Sequence, residues 1–159
     1  MQFEIGIPTI LEGDWYELKT RLYALSSQLQ KQCRKILIID TMNSLNPHHF
    51  AYNHVRQKDI FNNIYCVRCP KAFDLLARVQ SMEGFLEKKR IEAVIVTSLT
   101  LIFADNEQRE IAPLIHNIME KLADIAKRHR LVLIIGKSPQ ADEKVQLACK
   151  FLEQMPLVR

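Results

Sequence analysis

Residues 3–20 read FEIGIPTILEGDWYELKT, and the change of pattern inside this stretch decides the fold class. Residues 3–10 form an apolar, β-rich run that predicts a strand. Pro8 within it marks an edge position or the strand's end, because proline has no amide to give to a ladder. From Asp14 the period changes. Trp15, Leu18, Leu22, Leu25 and Leu29 follow a 3-4-3-4 spacing, which places them on one face of a helix over 14–31. Asp14-Trp15-Tyr16-Glu17 has the form of a capping box, an N-cap oxygen answered three residues later by a glutamate, so the helix is expected to start there.

The same alternation runs to the end of the chain. Ile36–Asp40 predicts a second strand whose unbroken apolar run means both of its faces are covered. A weaker helix follows over 47–57, with Asn46 as N-cap and Pro47 at the first helical position. Further strands are expected at Ile64–Arg68, 92–97 and 131–136, and helices over 71–89, 108–129 and 141–154. Five strand–helix units with short connections predict a three-layer α/β domain: a mostly parallel five-stranded sheet with helices on both faces. With only four glycines and no linker-like stretch, 1–159 reads as a single domain. The ligand site of such a sheet lies beyond the carboxyl ends of its strands, which directs attention to the loops at 11–14, 41–46, 69–71, 98–106 and 137–140.

Composition narrows the class further. The 159 residues are 48% hydrophobic and 25% charged, as in an ordinary globular domain, which excludes a disordered or fibrous chain. No apolar run approaches the ~20 residues of a membrane helix. The amino terminus lacks the basic and apolar regions of a secretory signal, so an intracellular protein with no membrane partner is expected. Cys33, Cys66, Cys69 and Cys149 are then expected to be reduced. A net charge of +4 permits a nucleic-acid partner without requiring one.

Gly13-Asp14-Trp15-Tyr16-Glu17-Leu18-Lys19-Thr20 fits the phosphate-binding pattern GxxxxGK[ST] except at Leu18, where the second glycine belongs. That glycine lets the backbone curl its amides around phosphate oxygens, and leucine obstructs the curl. With this stretch, ILIIDTMNSLNPHHF (36–50), NIYCVRC (63–69), IEAVIVTSLTLIFAD (91–105) and LVLIIGKS (131–138), the chain resembles the RecA/RadA recombinase superfamily, as a minimal core. The resemblance implies a RecA-like fold with strand order 3-2-4-5-1. It also implies a degenerate nucleotide site made of Gly13, Leu18, Lys19, Thr20, Asp40, Met42 and Thr97. Met42 stands where the family has the glutamate that activates water, and Thr97 where it has the aspartate that organises Mg²⁺. Glu12, Asp14 and Glu17 would repel a triphosphate, while Trp15 and Tyr16 are expected to fill its volume. The expectation is therefore a pseudo-ATPase without cofactor or metal, an accessory factor in DNA recombination or repair that binds a protein partner, a recombinase, a repair factor or another copy of itself. A nucleotide-binding regulator that retains weak ATP affinity through Lys19 and Thr20 is the alternative.

Family subunits join when a Phe-containing segment docks near the third strand. Leu37, Ile39, Tyr65 and Val67 are the positions here for such a pocket. No Phe-x-x-Ala segment precedes the core, so the chain is expected to accept a partner without extending a filament. The loop corresponding to the family's first DNA-binding loop, 104–110 (ADNEQRE), is short and net acidic. Lys88, Lys89, Arg90 and Lys137 are the candidate DNA contacts. Three basic clusters precede strands: Lys31, Arg34 and Lys35; Lys88, Lys89 and Arg90; Lys127, Arg128 and Arg130. All three are expected at the edge opposite the ligand face, either answering helix dipoles or forming a basic rim. Cys66 and Cys69 form a CxxC between a strand and a helix, the setting of a thiol redox pair. His48, His49 and His54 cluster without the i, i+4 spacing of a helical metal site.

Overall fold

A computed structural model describes residues 3–32, 34–46, 63–155 and 157–158. The helix expected over 47–57, its histidines His48, His49 and His54, and Cys33 lie outside the described residues. Strand β1 spans Pro8–Glu12, and helix α1 spans Trp15–Lys31. Strands β2 (Ile36–Asp40) and β3 (Ile64–Arg68) follow, then helices α2 (Ala72–Ser81) and α3 (Glu83–Lys89). Strand β4 is Ala93–Val96, α4 is Gln108–Arg128 and β5 is Val132–Lys137. Helix α5 (Glu143–Ala148), a 3-10 turn (Lys150–Gln154) and the short strand β6 (Leu157–Val158) complete the chain.

The sheet is parallel throughout and runs β3-β2-β4-β5-β1-β6, one strand more than the five anticipated. The added β6 pairs with Ile10 and Leu11. Two residues are too short to show a period, so it was not legible in the sequence. β1 thus lies between β5 and β6, and Pro8 opens the strand instead of lying on an edge. Its missing amide costs nothing at the first position. The strand starts late because Gly6, at φ +82°, turns the chain just before it, and it continues to Glu12.

Side-chain parity sorts the core into two layers. Leu11, Ile36, Ile38, Ala93, Ile95, Val132 and Ile134 face α1 and pack on Leu18, Leu22, Leu25 and Leu29. Ile10, Leu37, Ile39, Val94, Val96, Leu133 and Ile135 face the other helices, chiefly Leu75, Val79 and Leu86 and the apolar stripe Ile111, Leu114, Ile115, Ile118 and Leu122 of α4. Covering on both faces is what removes alternation from the central strands.

Two helix expectations are corrected. The helix expected over 71–89 is two, interrupted at Met82. The Ser81 hydroxyl donates back to the Ala77 carbonyl at 3.0 Å, and Gly84 weakens the next turn; both loosen the helical ladder at that point. The helix expected over 141–154 tightens into the 3-10 turn after Cys149, whose amide is shared between the Val145 and Gln146 carbonyls. Gly136 is required by a close approach: a β-carbon there would stand 1.9 Å from the Thr97 carbonyl oxygen.

Candidate functional site

The carboxyl ends of β1, β2, β4 and β5 meet along one edge, where the sequence placed the degenerate nucleotide site. Only Gly13 and Asp14 connect β1 to α1. Asp14 caps the helix, its Oδ1 accepting the Glu17 amide at 2.8 Å, while Glu17 Oε2 accepts the Asp14 amide at 3.0 Å. The capping box expected from the sequence is therefore formed. The Gly13 amide goes to the Lys137 carbonyl, and that of Trp15 to Gln140 Oε1. Amides that a phosphate loop would aim at its ligand thus have internal acceptors, and the connection is too short to curl.

Leu18 is fully buried in the α1 layer. Lys19 carries its ammonium over the Trp15 ring, 5.2 Å from the centroid, and Thr20 is exposed. Trp15 and Tyr16, expected to fill the phosphate volume, instead point outward, 39% and 71% exposed. The helix start itself occupies the place of the loop, so no aromatic plug is needed. Beside it lies an open crevice of about 620 Å³ lined by Glu12, Asp14, Glu17 and Glu153 against a single cation, Lys137. Lys137, a candidate DNA contact, is only 13% exposed and pairs with Glu12 at 3.1 Å and Glu153 at 3.9 Å. Its charge is engaged inside the crevice.

Asp40 and Thr97 are brought together at the ends of β2 and β4. Asp40 is 1% exposed. Its carboxylate accepts the amides of Met42, Ser44 and Leu45 at 3.1–3.2 Å and the hydroxyls of Ser44 and Thr97 at 3.4 Å. The Thr97 hydroxyl also accepts the Thr41 amide at 2.8 Å. Thr41 Oγ1 donates to the Ser98 carbonyl at 2.6 Å and accepts the Ser98 amide at 2.9 Å. Among the described residues no buried side-chain polar atom lacks a partner. A buried carboxylate satisfied in this way is held by the protein itself. Met42 is half-buried and packs on the α1 layer. Lys19 stands over Trp15 and Thr20 is exposed on α1, whereas Asp40, Met42 and Thr97 lie at the ends of β2 and β4. Thr100 Oγ1 accepts the Ser138 amide at 2.9 Å in the same region; sequence reading pointed to these loops without singling out Thr41, Ser44, Ser98, Thr100 or Ser138, whose signal was a run of hydroxyl residues directly after β2, β4 and β5.

A second feature lies at the β3 edge. Leu37, Tyr65 and Val67 line a hollow of about 320 Å³ together with Arg78, Ser81, Met82 and Phe85 from α2, α3 and the break between them. Ile39, the fourth expected lining residue, is fully buried in the core layer beneath the other helices and is not in the hollow's wall. Phe85 is 37% exposed and meets the Tyr65 ring edge-on at 5.4 Å. Lys89 places its ammonium 5.7 Å from the Tyr65 centroid. Among the described residues β3 pairs only with β2, so its outer side is an open edge.

Both thiols are shifted upward. Burial, reinforced by the Asp40 charge, pushes Cys66 up to about 11, and burial raises Cys69 too. A redox pair needs the opposite shift. Both are free: Cys66 lies on β3 at the wall of the hollow, exposed although its thiol is partly desolvated, and Cys69 is buried just beyond it in the other helix layer's core. In the acidic loop, Asp105 pairs with Lys71 at 3.1 Å, and Glu107 and Glu110 form a capping box at the start of α4. Among the described residues no group of three or more His, Cys, Asp or Glu side chains is arranged to hold a metal ion, and no helix is long and apolar enough to cross a membrane. No family model and no curated protein matches the chain.

Proposed function

We propose that this protein is a RecA/RadA-like paralogue that works as a binding protein, without ATP hydrolysis, and takes up a protein partner at the β3 edge. The observation that carries the reading is the capping box of Asp14 and Glu17, which turns the would-be phosphate loop into a helix start. The acidic crevice beside it and the internally satisfied Asp40 add to the argument, since neither offers a site to a triphosphate with its magnesium. The hollow between β3 and α3 supports the docking half. An open strand edge supplies main-chain hydrogen bonds, and an aromatic-lined recess beside it accepts an anchor side chain. By the resemblance the partner is a recombinase or repair factor, joined through a Phe-containing extended segment.

The test is a titration of the purified chain with a peptide bearing Phe-x-x-Ala in an extended context, beside an ATPase assay. Saturable binding is expected, lost on Phe85→Asp, with no ATP turnover above buffer. Turnover abolished by Thr20→Ala or Asp40→Ala would overturn the pseudo-ATPase reading. Absence of peptide binding, or binding indifferent to Phe85, would overturn the docking site.

A further inference from the structure

The amino ends of the strands carry a second surface. In the sheet β2, β4 and β5 are neighbours, and each is entered through basic residues: Arg34 and Lys35 before β2, Arg90 before β4, Arg130 before β5. At about 4.8 Å between strands, the topology sets these entries in a row. Lys88 and Lys127 stand behind them on the last turns of α3 and α4. Among the described residues none of these six side chains takes part in an ion pair. Three acids of α3 and α4 are answered by other groups: Glu83 by Arg128 and His129, Glu87 by His129, Asp124 by Arg128. Glu92 is the acid inside the row, and it turns toward the Lys35 amide.

The backbone makes the row more than a by-product of helix ends. Arg90 and Arg130 both lie in the left-handed region, at φ 54° and 53°. Each follows a helix that closes with the same pair of bonds. The Arg90 amide reaches the Glu87 carbonyl and that of Ile91 the Leu86 carbonyl; the Arg130 amide reaches that of Lys127 and the Leu131 amide that of Ala126. This is the Schellman closure, whose left-handed position is ordinarily glycine because a β-carbon is strained there. A lysine or arginine one turn earlier would answer the helix dipole without that strain. Arginine at two adjacent strand entries, in the one conformation that disfavours it, points to a use for the guanidinium itself.

We propose that this rim binds the phosphodiester backbone of nucleic acid. Guanidinium forks match phosphate oxygens, and a row of like charges fits a ligand whose own charges repeat along a line. The proposal is separate from the docking reading: it concerns the opposite end of the strands and fails or stands independently. It also differs from the expectation for Lys137, whose charge is engaged in the crevice, and for Lys89, which lies against Tyr65. Ile5 and Ile7 are exposed just before β1, at the end of the row, so a lipid surface has to be measured beside nucleic acid.

The experiment compares the full chain with R90G/R130G and R90K/R130K. The probes are a 20-base-pair duplex, its single strand, phosphatidylserine vesicles and polyglutamate, each across a salt series. Glycine relieves the strained positions, so R90G/R130G is expected to melt higher than the parent. It should nevertheless bind the duplex or the single strand at least about tenfold more weakly near 0.1 M salt, with the slope of log K against log salt reduced by about 1.8 on the duplex, two contacts at about 0.9 each, or by about 1.4 on the single strand, at about 0.7 each. R90K/R130K keeps the charge and is expected to keep most of that slope. Whichever strand form binds more tightly identifies the ligand geometry. Unchanged affinity and slope in R90G/R130G would overturn the proposal. So would binding to vesicles or polyglutamate without binding to nucleic acid, or no binding to any probe.

Discussion

Asp40→Asn separates a structural carboxylate from one kept for a ligand. The side chain is nearly the same size, so packing is preserved and the perturbation is confined to hydrogen bonding. In the native protein Oδ1 accepts from Met42 and Ser44 and Oδ2 from Ser44 and Leu45, with two hydroxyls alongside. Asparagine keeps one acceptor oxygen and replaces the other with an NH₂. In either orientation, a backbone amide loses its acceptor and faces a donor. The amide left unsatisfied, Met42 or Leu45, is part-buried, so its loss costs about 1 kcal/mol or somewhat more, and each remaining bond drops from charge-assisted to neutral, about 1 kcal/mol. Burying a neutral amide in place of an ion offsets part of this. The net expectation is a loss of about 3 kcal/mol, seen as a lower urea midpoint with unchanged slope and a Tm lower by about 6–12 °C. Equilibrium urea unfolding at pH 7, followed by circular dichroism, is the assay. A loss below about 0.5 kcal/mol, or a gain, would refute the reasoning and return Asp40 to the role of a ligand-binding acid.

Three further outcomes are expected. Gly136→Ala would drive a β-carbon into the Thr97 carbonyl, force β5 away from the end of β4 and break the Leu99–Gly136 bond of 2.8 Å; a destabilisation of about 3 kcal/mol or more, or loss of soluble protein, is expected from unfolding and expression measurements. Hydrogen bonds from Arg128 and His129 lower Glu83 to about 2 from 4.5, so its contribution is present above the unfolded value and lost as pH falls from about 4.5 through 2. Glu83→Gln should therefore flatten the fall of Tm in that window, and do so less at high salt because the pair is exposed; an unchanged acid profile would show that the ion pair is not formed. Because partial desolvation and the Asp40 charge raise Cys66, this exposed thiol should react with iodoacetamide at pH 8 at least several-fold more slowly than an ordinary thiol. Labelling as fast as glutathione would restore the redox reading.

What the chain reveals without its structure is local. The change from strand to helix period, the unbroken apolar strands and the Asp14–Glu17 box are set within one turn or one strand, where side chain and backbone are neighbours in sequence. Those features sufficed for a parallel α/β sheet and for the site at the end of β1. The break at Met82 escaped because it depends on how the Ser81 hydroxyl competes for a carbonyl, and β6 because two residues have no period.

The rest was decided by strand register. Asp40 meets Thr97 across 57 residues, and Lys137 meets Glu12 across 125. Phe85 closes on Tyr65 only because α3 lies over the edge strand, and the arginines line up only because β2, β4 and β5 are neighbours in the sheet. Single-residue patterns carry no record of such pairings, since each partner alone looks like an ordinary polar, aromatic or basic residue. The chain by itself thus determined the class of fold and the conversion of its first loop into a helix start. Tertiary packing alone decided which polar groups satisfy one another and which remain directed outward, because burial and hydrogen bonding are properties of pairs brought together by the sheet.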